Sequence, residues 1–324
     1  MPASLARQPL AHLPTPVEPL PRLSAALGID LWVKRDDLTG LAFGGNKTRK
    51  LELLLGEALA QGADTLITAG AAQSNHCRQT AAAAARLGLG CRLVLAGDPP
   101  PAPRGNLLLD LLLGAELIWA PRAERQAALE QVAARARAAG LRPYVIPYGG
   151  SSPTGAAAYA RALRELLDQQ PAFDRVVFAT SSGGTQAGLA AGARLEGFAG
   201  RLTGISVDQP APALSARVAE LAAATAALLG RPEAFAAGDI EVQDAYLGGG
   251  YGVVGALERE ALQQFARQEG LLLDPVYTAR AAGGMLDLVR RGRITPGDRV
   301  LFWHTGGTPA LFAYESDLLP DAGA

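Results

Sequence analysis

The chain has 324 residues, a formal net charge of -1, 49% hydrophobic and 19% charged residues. That is enough apolar side chain for a sizeable core, in two domains or one large α/β unit, and it offers no electrostatic footprint for nucleic acid or an anionic membrane. Two cysteines, Cys77 and Cys91, make no disulfide framework, no apolar run reaches roughly 18 residues, and the proline-punctuated N-terminal segment lacks the apolar stretch of a signal peptide; a cytoplasmic protein is expected.

Strand-like and helix-like patterns alternate along the chain. Leu31-Trp32-Val33 reads as a short strand, and 47–60 as a helix with Leu51, Leu54, Leu55 and Ala58 on one face. A strand at 65–68 leads to an alanine-rich helix over 74–87 with Ser74 as N-cap. A strand at 91–95, a helix near 106–113, a strand at 117–119, a helix at 123–139 and a strand at 144–146 follow. The segment Pro147-Tyr148-Gly149-Gly150-Ser151-Ser152-Pro153 breaks the pattern and reads as a domain hinge. Beyond it come helices at 153–167, 185–195, 210–229 and 253–268, with strands at 175–179, 202–207 and 300–304. Strands spaced by helices predict parallel sheets covered on both faces.

Lysine is scarce. Of 30 basic residues only Lys34, Lys47 and Lys50 are lysine; the other 27 are arginine. Where charge alone is needed arginine serves, so a retained lysine suggests a need for an amine that can lose its proton and attack a carbonyl; chance survival is the alternative. Gly44-Gly45-Asn46-Lys47-Thr48-Arg49-Lys50 opens a helix. Three cations in a first turn are unfavourable unless an anion is near, and the positive helix end lowers the Lys47 pKa a little.

In open α/β sheets ligands bind at the carboxyl ends of strands. Ser181-Ser182-Gly183-Gly184-Thr185 lies at such a turn, where backbone N–H groups, hydroxyls and a helix N-terminus suit a phosphate; an ordinary tight turn would look the same. The loop lacks the lysine of a Walker A motif and the spacing of a dinucleotide fold. Gln73-Ser74-Asn75-His76 could receive a carboxylate, although the capping role of Ser74 explains it equally, and His76 could act as a base or be merely half-solvated. No histidine or cysteine shows metal-ligand spacing, so no metal is expected. Tyr251, between two glycines, reads as a functional side chain; Tyr277, in Asp274-Pro275-Val276-Tyr277-Thr278, reads on its own as a buried aromatic at a helix start.

Taken together, Gly44 to Glu52, Gln73-Ser74-Asn75, Ser182 to Thr185 and Asp274-Pro275-Val276-Tyr277 resemble the family of D-cysteine desulfhydrase and 1-aminocyclopropane-1-carboxylate (ACC) deaminase, from near His12 to about Tyr314. The resemblance implies the tryptophan-synthase-β-like fold (fold type II of pyridoxal-phosphate enzymes), with two open parallel-sheet α/β domains and the cofactor between them. It suggests a large domain of residues 1–46 and 153–324, a small domain of 47–152, and a homodimer. It further implies that Lys47 holds pyridoxal phosphate and moves the substrate α-proton, that Asn75 bonds the pyridine 3-oxygen, and that Lys50, Ser182, Gly183, Gly184 and Thr185 hold the phosphate. Ser74 and Asn75 would receive the substrate carboxylate, and Tyr251 and Tyr277 would flank a small amino-acid substrate.

Two departures bear on the branch. In the ACC deaminases the tyrosine of the Asp-Pro-Val-Tyr motif is followed by a glutamate that faces the pyridine nitrogen, whereas here Thr278 follows, and His76 stands where those enzymes tend to carry glutamine. His304-Thr305-Gly306-Gly307-Thr308-Pro309 looks like the D-cysteine desulfhydrase branch, in which a threonine, here Thr305, faces that nitrogen. A hydroxyl makes the ring a weaker electron sink than a carboxylate does, which suits expulsion of a good thiolate leaving group better than opening of a cyclopropane. The expected reaction is β-elimination of D-cysteine to pyruvate, hydrogen sulfide and ammonia. L-cysteate sulfo-lyase and ACC deaminase are alternatives within the family, and a non-catalytic pyridoxal-phosphate or amino-acid binding protein is one outside it. A sulfonate leaving group would want an extra cation, and the sequence places none. Leu247-Gly248-Gly249-Gly250 departs from the proline-containing loop associated with the family.

Overall fold

The computed structural model describes residues 5–170 and 172–319. In chain order the elements are β1 (Val17–Pro19), α1 (Pro21–Leu27), β2 (Asp30–Arg35), α2 (Asn46–Ala60), β3 (Thr65–Ala71), α3 (Asn75–Leu87), β4 (Gly90–Ala96), α4 (Gly105–Leu112), β5 (Glu116–Ala120), α5 (Arg125–Ala138) and β6 (Pro143–Val145). The second half holds α6 (Pro153–Gln169), β7 (Arg175–Thr180), α7 (Gly184–Glu196), β8 (Arg201–Ser206), α8 (Ala211–Leu228), β9 (Glu241–Gln243), α9 (Ala256–Glu269), α10 (Thr278–Arg290), β10 (Arg299–His304) and α11 (Glu315–Leu318).

Two sheets form. One runs β1-β2-β10-β7-β8-β9, parallel except for the β1–β2 edge pair; the other runs β5-β4-β3-β6 and is wholly parallel. The strands of the smaller sheet all fall between residues 65 and 145. Pleating sends alternate side chains to opposite faces, and both faces are packed. In β7 Val177 joins the core under α9 and α10, while Val176 and Phe178 join the core under α6 and α7; in β10 Phe302 and Trp303 divide the same way. In β3 Leu66 packs toward α2 and α3, and Ile67 toward α5. The predicted parallel α/β architecture therefore stands. The sequence reading passed over β1, α1, β9 and α11. β1 and β9 are three-residue edge strands, and β1 ends in Pro19, which cannot donate to a ladder.

Helix α2 joins the two halves. Leu51, Leu54, Leu55 and Ala58 pack on the small-sheet side, whereas Leu53 meets Ala157 and Ala158 of α6. Its first turns are fixed by a buried polar centre. Asp36, fully buried after β2, accepts from Arg49 Nη2 at 2.8 Å, Thr15 Oγ1 at 2.9 Å, Tyr159 Oη at 2.5 Å and Trp303 Nε1 at 2.8 Å. Arg49 also donates to Glu165, which accepts from Lys34 Nζ at 2.6 Å. Burial alone would raise the Asp36 pKa, but the Arg49 guanidinium and the three neutral donors leave it below the usual carboxylate range.

Removing one partner of a buried ion pair strands the other. Asp36→Ala is expected to lower the unfolding free energy by about 3–5 kcal/mol in urea titrations. Because the folded pKa of Asp36 is depressed, its contribution is present above the ordinary carboxylate pKa and is lost as pH falls through the folded value. Asp36→Asn should therefore be less stable near neutrality and show a shallower loss of stability on acidification; an acid slope equal to the parent's would contradict this account.

Candidate active site

Three strand ends and one helix start converge. The turns after β3, β7 and β10 carry Ser74-Asn75, Ser181 to Thr185 and Thr305, and the start of α2 brings Asn46 and Lys47; all of these except Gly184 line one cavity. The turns touch backbone to backbone. Asn46 N donates to Thr305 O at 2.9 Å, and a Cβ at Gly306, whose φ is +83°, would lie 2.7 Å from Gly45 Cα. Only glycine allows that approach.

Lys47 sits at the second position of α2 with its side chain half-buried against the cavity. Burial lowers its pKa from 10.5 to about 8, opposed by the nearby Asp274 carboxylate. The sequence reading credited the helix end; desolvation is the larger cause. Arg78 on α3 holds the preceding turn through the carbonyls of Ala42 and of Gly44 (3.1 Å). Ala42 and Phe43 there have φ of 43° and 67°, a left-handed conformation that strains non-glycine residues.

The expected phosphate cradle comes together. Lys50 Nζ is buried and, among the described residues, hydrogen-bonds the Gly149 carbonyl at 3.2 Å and has no carboxylate partner. Burial, then the like charge of Lys47, pushes its pKa well below the ordinary value. A Cβ at Gly184 would lie 2.9 Å from Lys50 Nζ, so lysine and loop face the same point. Ser182 Oγ lies 2.8 Å from Ser151 Oγ, which also accepts from Gly184 N at 3.1 Å, and Asn46 Nδ2 donates to Thr185 Oγ1 at 3.0 Å, leaving the threonine proton free. A buried cation without a counter-ion, beside a helix start with no acidic residue in its first turn, fits a phosphate.

Asn75 presents a defined edge. Its Oδ1 accepts from Asn106 Nδ2 at 2.8 Å, so its Nδ2 remains to donate, as an anionic ring oxygen would require. Asn106, on α4, also bonds the Gln73 carbonyl at 2.9 Å. Ser74 caps α3 by accepting from Cys77 N at 3.2 Å. His76 bonds Thr68 Oγ1 through Nε2 at 3.0 Å, and Thr68 gives its single proton to the Ile146 carbonyl at 2.9 Å. His76 Nε2 must therefore carry hydrogen, and Nδ1 is bare, buried and without a partner. Burial, then Lys47 and Lys50, holds this imidazole neutral.

The two tyrosines meet at the site. Tyr277 lines the cavity, and Tyr251 stands behind it with its hydroxyl 2.7 Å from that of Tyr277. Burial raises both phenols, so both are protonated, and one proton remains after the shared bond is filled. Thr278 is turned away. Its Oγ1 accepts from Asp274 N at 2.7 Å and donates to Asp274 Oδ1 at 2.8 Å, whereas Thr305 lines the cavity together with Thr180 and Thr185. Among the described residues no aspartate or glutamate lines this cavity. Asn106 and Ser151 were not recognised as site residues from sequence, because their contacts reach across 31 positions and only the folded chain reveals them.

This convergence defines a site for a phosphorylated aldehyde held by a lysine, and the comparisons agree. The chain matches the family described as pyridoxal-phosphate dependent enzyme over residues 9–306 and belongs to it. Within that family it stands in the group of D-cysteine desulfhydrase and ACC deaminase. It is 44% identical over 318 residues to the D-cysteine desulfhydrase of Salmonella choleraesuis (strain SC-B67), covering 95% of this chain and 96% of that protein. It is 43% identical over 320 residues to a putative ACC deaminase of Pyrococcus abyssi, covering 94% and 92%. A crystal structure of an ACC deaminase homologue superposes with TM-score 0.91 at 40% identity, covering 98% of this chain and 97% of that one. O-ureido-L-serine synthase, at TM-score 0.69 and 17% identity over 96% and 94%, shares the fold. The protein is thus a pyridoxal-phosphate enzyme of fold type II. No helix among the described residues is long and apolar enough to cross a membrane.

Two outcomes test the geometry. Asn106→Leu, which frees Asn75 to rotate, should weaken cofactor binding about tenfold and shift the visible absorbance band, on the scale of a lost buried hydrogen bond. In cofactor-free protein the Lys47 amine reacts only when neutral, so capture of the aldehyde should accelerate as pH rises and be half-maximal near pH 8, where stopped-flow absorbance would read it.

Proposed function

We propose that this enzyme eliminates the β-substituent of a small amino acid, converting D-cysteine to pyruvate, hydrogen sulfide and ammonia. The observation that carries this reading is that no carboxylate among the described residues lines the Lys47 cavity, where Thr305 is one of the hydroxyls a ring nitrogen could meet. Pyridoxal phosphate supplies an electron sink for the charge left at the α-carbon when its proton departs. A hydroxyl-paired ring is a modest sink, sufficient where the leaving group is a good one.

The chain's own residues then have separable tasks. The Ser74 hydroxyl and the first amides of α3 receive the carboxylate at a helix N-terminus. Lys47 Nζ takes the α-proton, and a pKa near 8 suits a base that works close to neutrality. The Tyr251–Tyr277 pair keeps one hydroxyl proton to offer the departing sulfur or the carboxylate. Asn75 Nδ2 and Lys50, with Ser182, Gly183, Gly184 and Thr185, orient the cofactor. The proposal includes a division of the chain into residues 47–152 around the small sheet and 1–46 with 153–324 around the large one, and a cytoplasmic homodimer. The two cysteines, both free and buried, suit a reducing compartment.

Purified holoenzyme offered D-cysteine, L-cysteine and ACC in parallel should release pyruvate and sulfide from D-cysteine and no 2-oxobutyrate from ACC. Release of 2-oxobutyrate would overturn the substrate and leave the role of Lys47 intact. Lys47→Ala should abolish both the cofactor's bound absorbance and turnover, whereas binding without turnover of any amino acid by the parent protein would favour a non-catalytic binding protein.

A further inference from the structure

Arg280 lies in the first turn of α10, three positions after Tyr277, and is fully buried. A cation at the start of a helix opposes the helix dipole, and taking its charge out of water adds to the cost. Glu258 of α9, also buried, offsets both. Its Oε1 accepts from Arg280 Nε at 2.6 Å, while its Oε2 accepts from Gly255 N at 2.8 Å. The rest of the guanidinium is spent on main chain. Nη1 donates to the carbonyls of Val207, just beyond β8, at 2.8 Å and of Gly250 at 3.0 Å, and Nη2 donates to that of Val253 at 2.9 Å.

Two of these carbonyls bracket Tyr251. The Gly250 carbonyl belongs to the peptide unit that leads into Tyr251, and Val253 follows two residues later. The stretch has little of its own to hold a shape. Gly248, Gly250 and Gly252 are at φ of 55°, 104° and 75°, where glycine is permissive but not self-restraining. Its own main-chain bonds run from Gly250 N to Leu247 O at 2.9 Å and from Val253 N to Gly250 O at 3.3 Å. Yet the Tyr251 ring is presented edge-on to Tyr277, with centres 5.9 Å apart and hydroxyls 2.7 Å apart. The start of α10 thus carries both Tyr277 and the clamp that presents its partner.

Resting on the lyase reading above, we infer that Arg280 is a positioning residue: held by Glu258, it fixes the loop that carries Tyr251, and through the Tyr251–Tyr277 hydrogen bond it sets how well the enzyme expels a leaving group that needs a hydrogen bond. A planar fork with several donors is what the arrangement requires, and the ammonium of a lysine cannot reproduce it. The effect depends on what departs. Lys47 removes the α-proton, the Cβ–S bond breaks with both electrons going to sulfur, and the one phenol proton left over by the tyrosine pair donates a hydrogen bond to the charge developing there. Chloride is the conjugate base of a far stronger acid than hydrogen sulfide and departs with little such help. A loosened Tyr251 therefore penalises D-cysteine and spares β-chloro-D-alanine, a selectivity that a general loss of stability would not produce.

The test compares holoenzyme with Arg280→Lys, Glu258→Gln, Tyr251→Phe and the double variant Arg280→Lys/Tyr251→Phe, each offered D-cysteine and β-chloro-D-alanine. The ratio of kcat for D-cysteine to kcat for β-chloro-D-alanine should fall about tenfold in Arg280→Lys, on the scale of a lost hydrogen bond to a charged group. Glu258→Gln, which loosens the clamp without removing it, should move the ratio the same way by less. Tyr251→Phe should lower the ratio by itself, and Arg280→Lys should add little to it, because both act through one phenol. A ratio that Arg280→Lys leaves unchanged overturns the inference, and so does an Arg280→Lys effect that persists in full beside Tyr251→Phe. Should Arg280→Lys fail to hold the cofactor, Glu258→Gln is read in its place by the same criteria. Turnover of neither substrate by the parent protein would mean that the lyase reading has failed. The clamp is then judged by amide hydrogen exchange, where faster exchange over residues 250–253 in Arg280→Lys supports it and equal exchange overturns it.

Discussion

The Asp36 carboxylate holds the active-site geometry together. It lies where β2 ends, and its donors come from the N-terminal segment, α2, α6 and β10. Arg49, its charged partner, lies two residues beyond Lys47 on the same helix. The Lys47 amine is therefore positioned by a salt bridge it does not itself make. Taking such a pair out of water is costly, and it is tolerated here because every donor direction around Asp36 is filled. What the network supplies is a fixed register of α2 against the large sheet, which a purely apolar contact would leave freer to slide.

With α2 fixed, the remaining parts meet by the logic of parallel sheets. Each turn that touches the cofactor position follows a strand whose neighbours hold its end in place, and the glycines there let main chains approach more closely than side chains would permit. Asn106 and Ser151 occupy the next layer out. They touch no reacting atom, but they decide which edge of Asn75 and which hydroxyl of the phosphate loop face inward.

Much of this was legible in the chain itself, and the physical reason differs from part to part. The alternation of strands and helices is a local property, so the architecture could be read, apart from edge strands too short to show a period. Lys47 stood out by composition, the turn at Ser181 to Thr185 by its glycines and hydroxyls, and Ser74 by its capping position. The cluster around Asp36 and the Asn106 clamp could not be read, because their members lie far apart in sequence. How Tyr251 and Tyr277 divide their two positions could not be read from local sequence either. Flanking glycines announced an irregular loop at Tyr251, but which ring faces the cavity depends on how that loop packs against the start of α10.

The fate of the three lysines has a chemical corollary. Lys34 and Lys50 are sealed in the interior, and Lys47 opens only onto its cavity. Every other basic side chain is a guanidinium or an imidazole, neither of which condenses with an aldehyde as an amine does. A reactive aldehyde diffusing over this surface therefore meets no decoy ε-amine. Among side chains, selection of Lys47 then needs no recognition at the surface, because composition has removed the other accessible ε-amines.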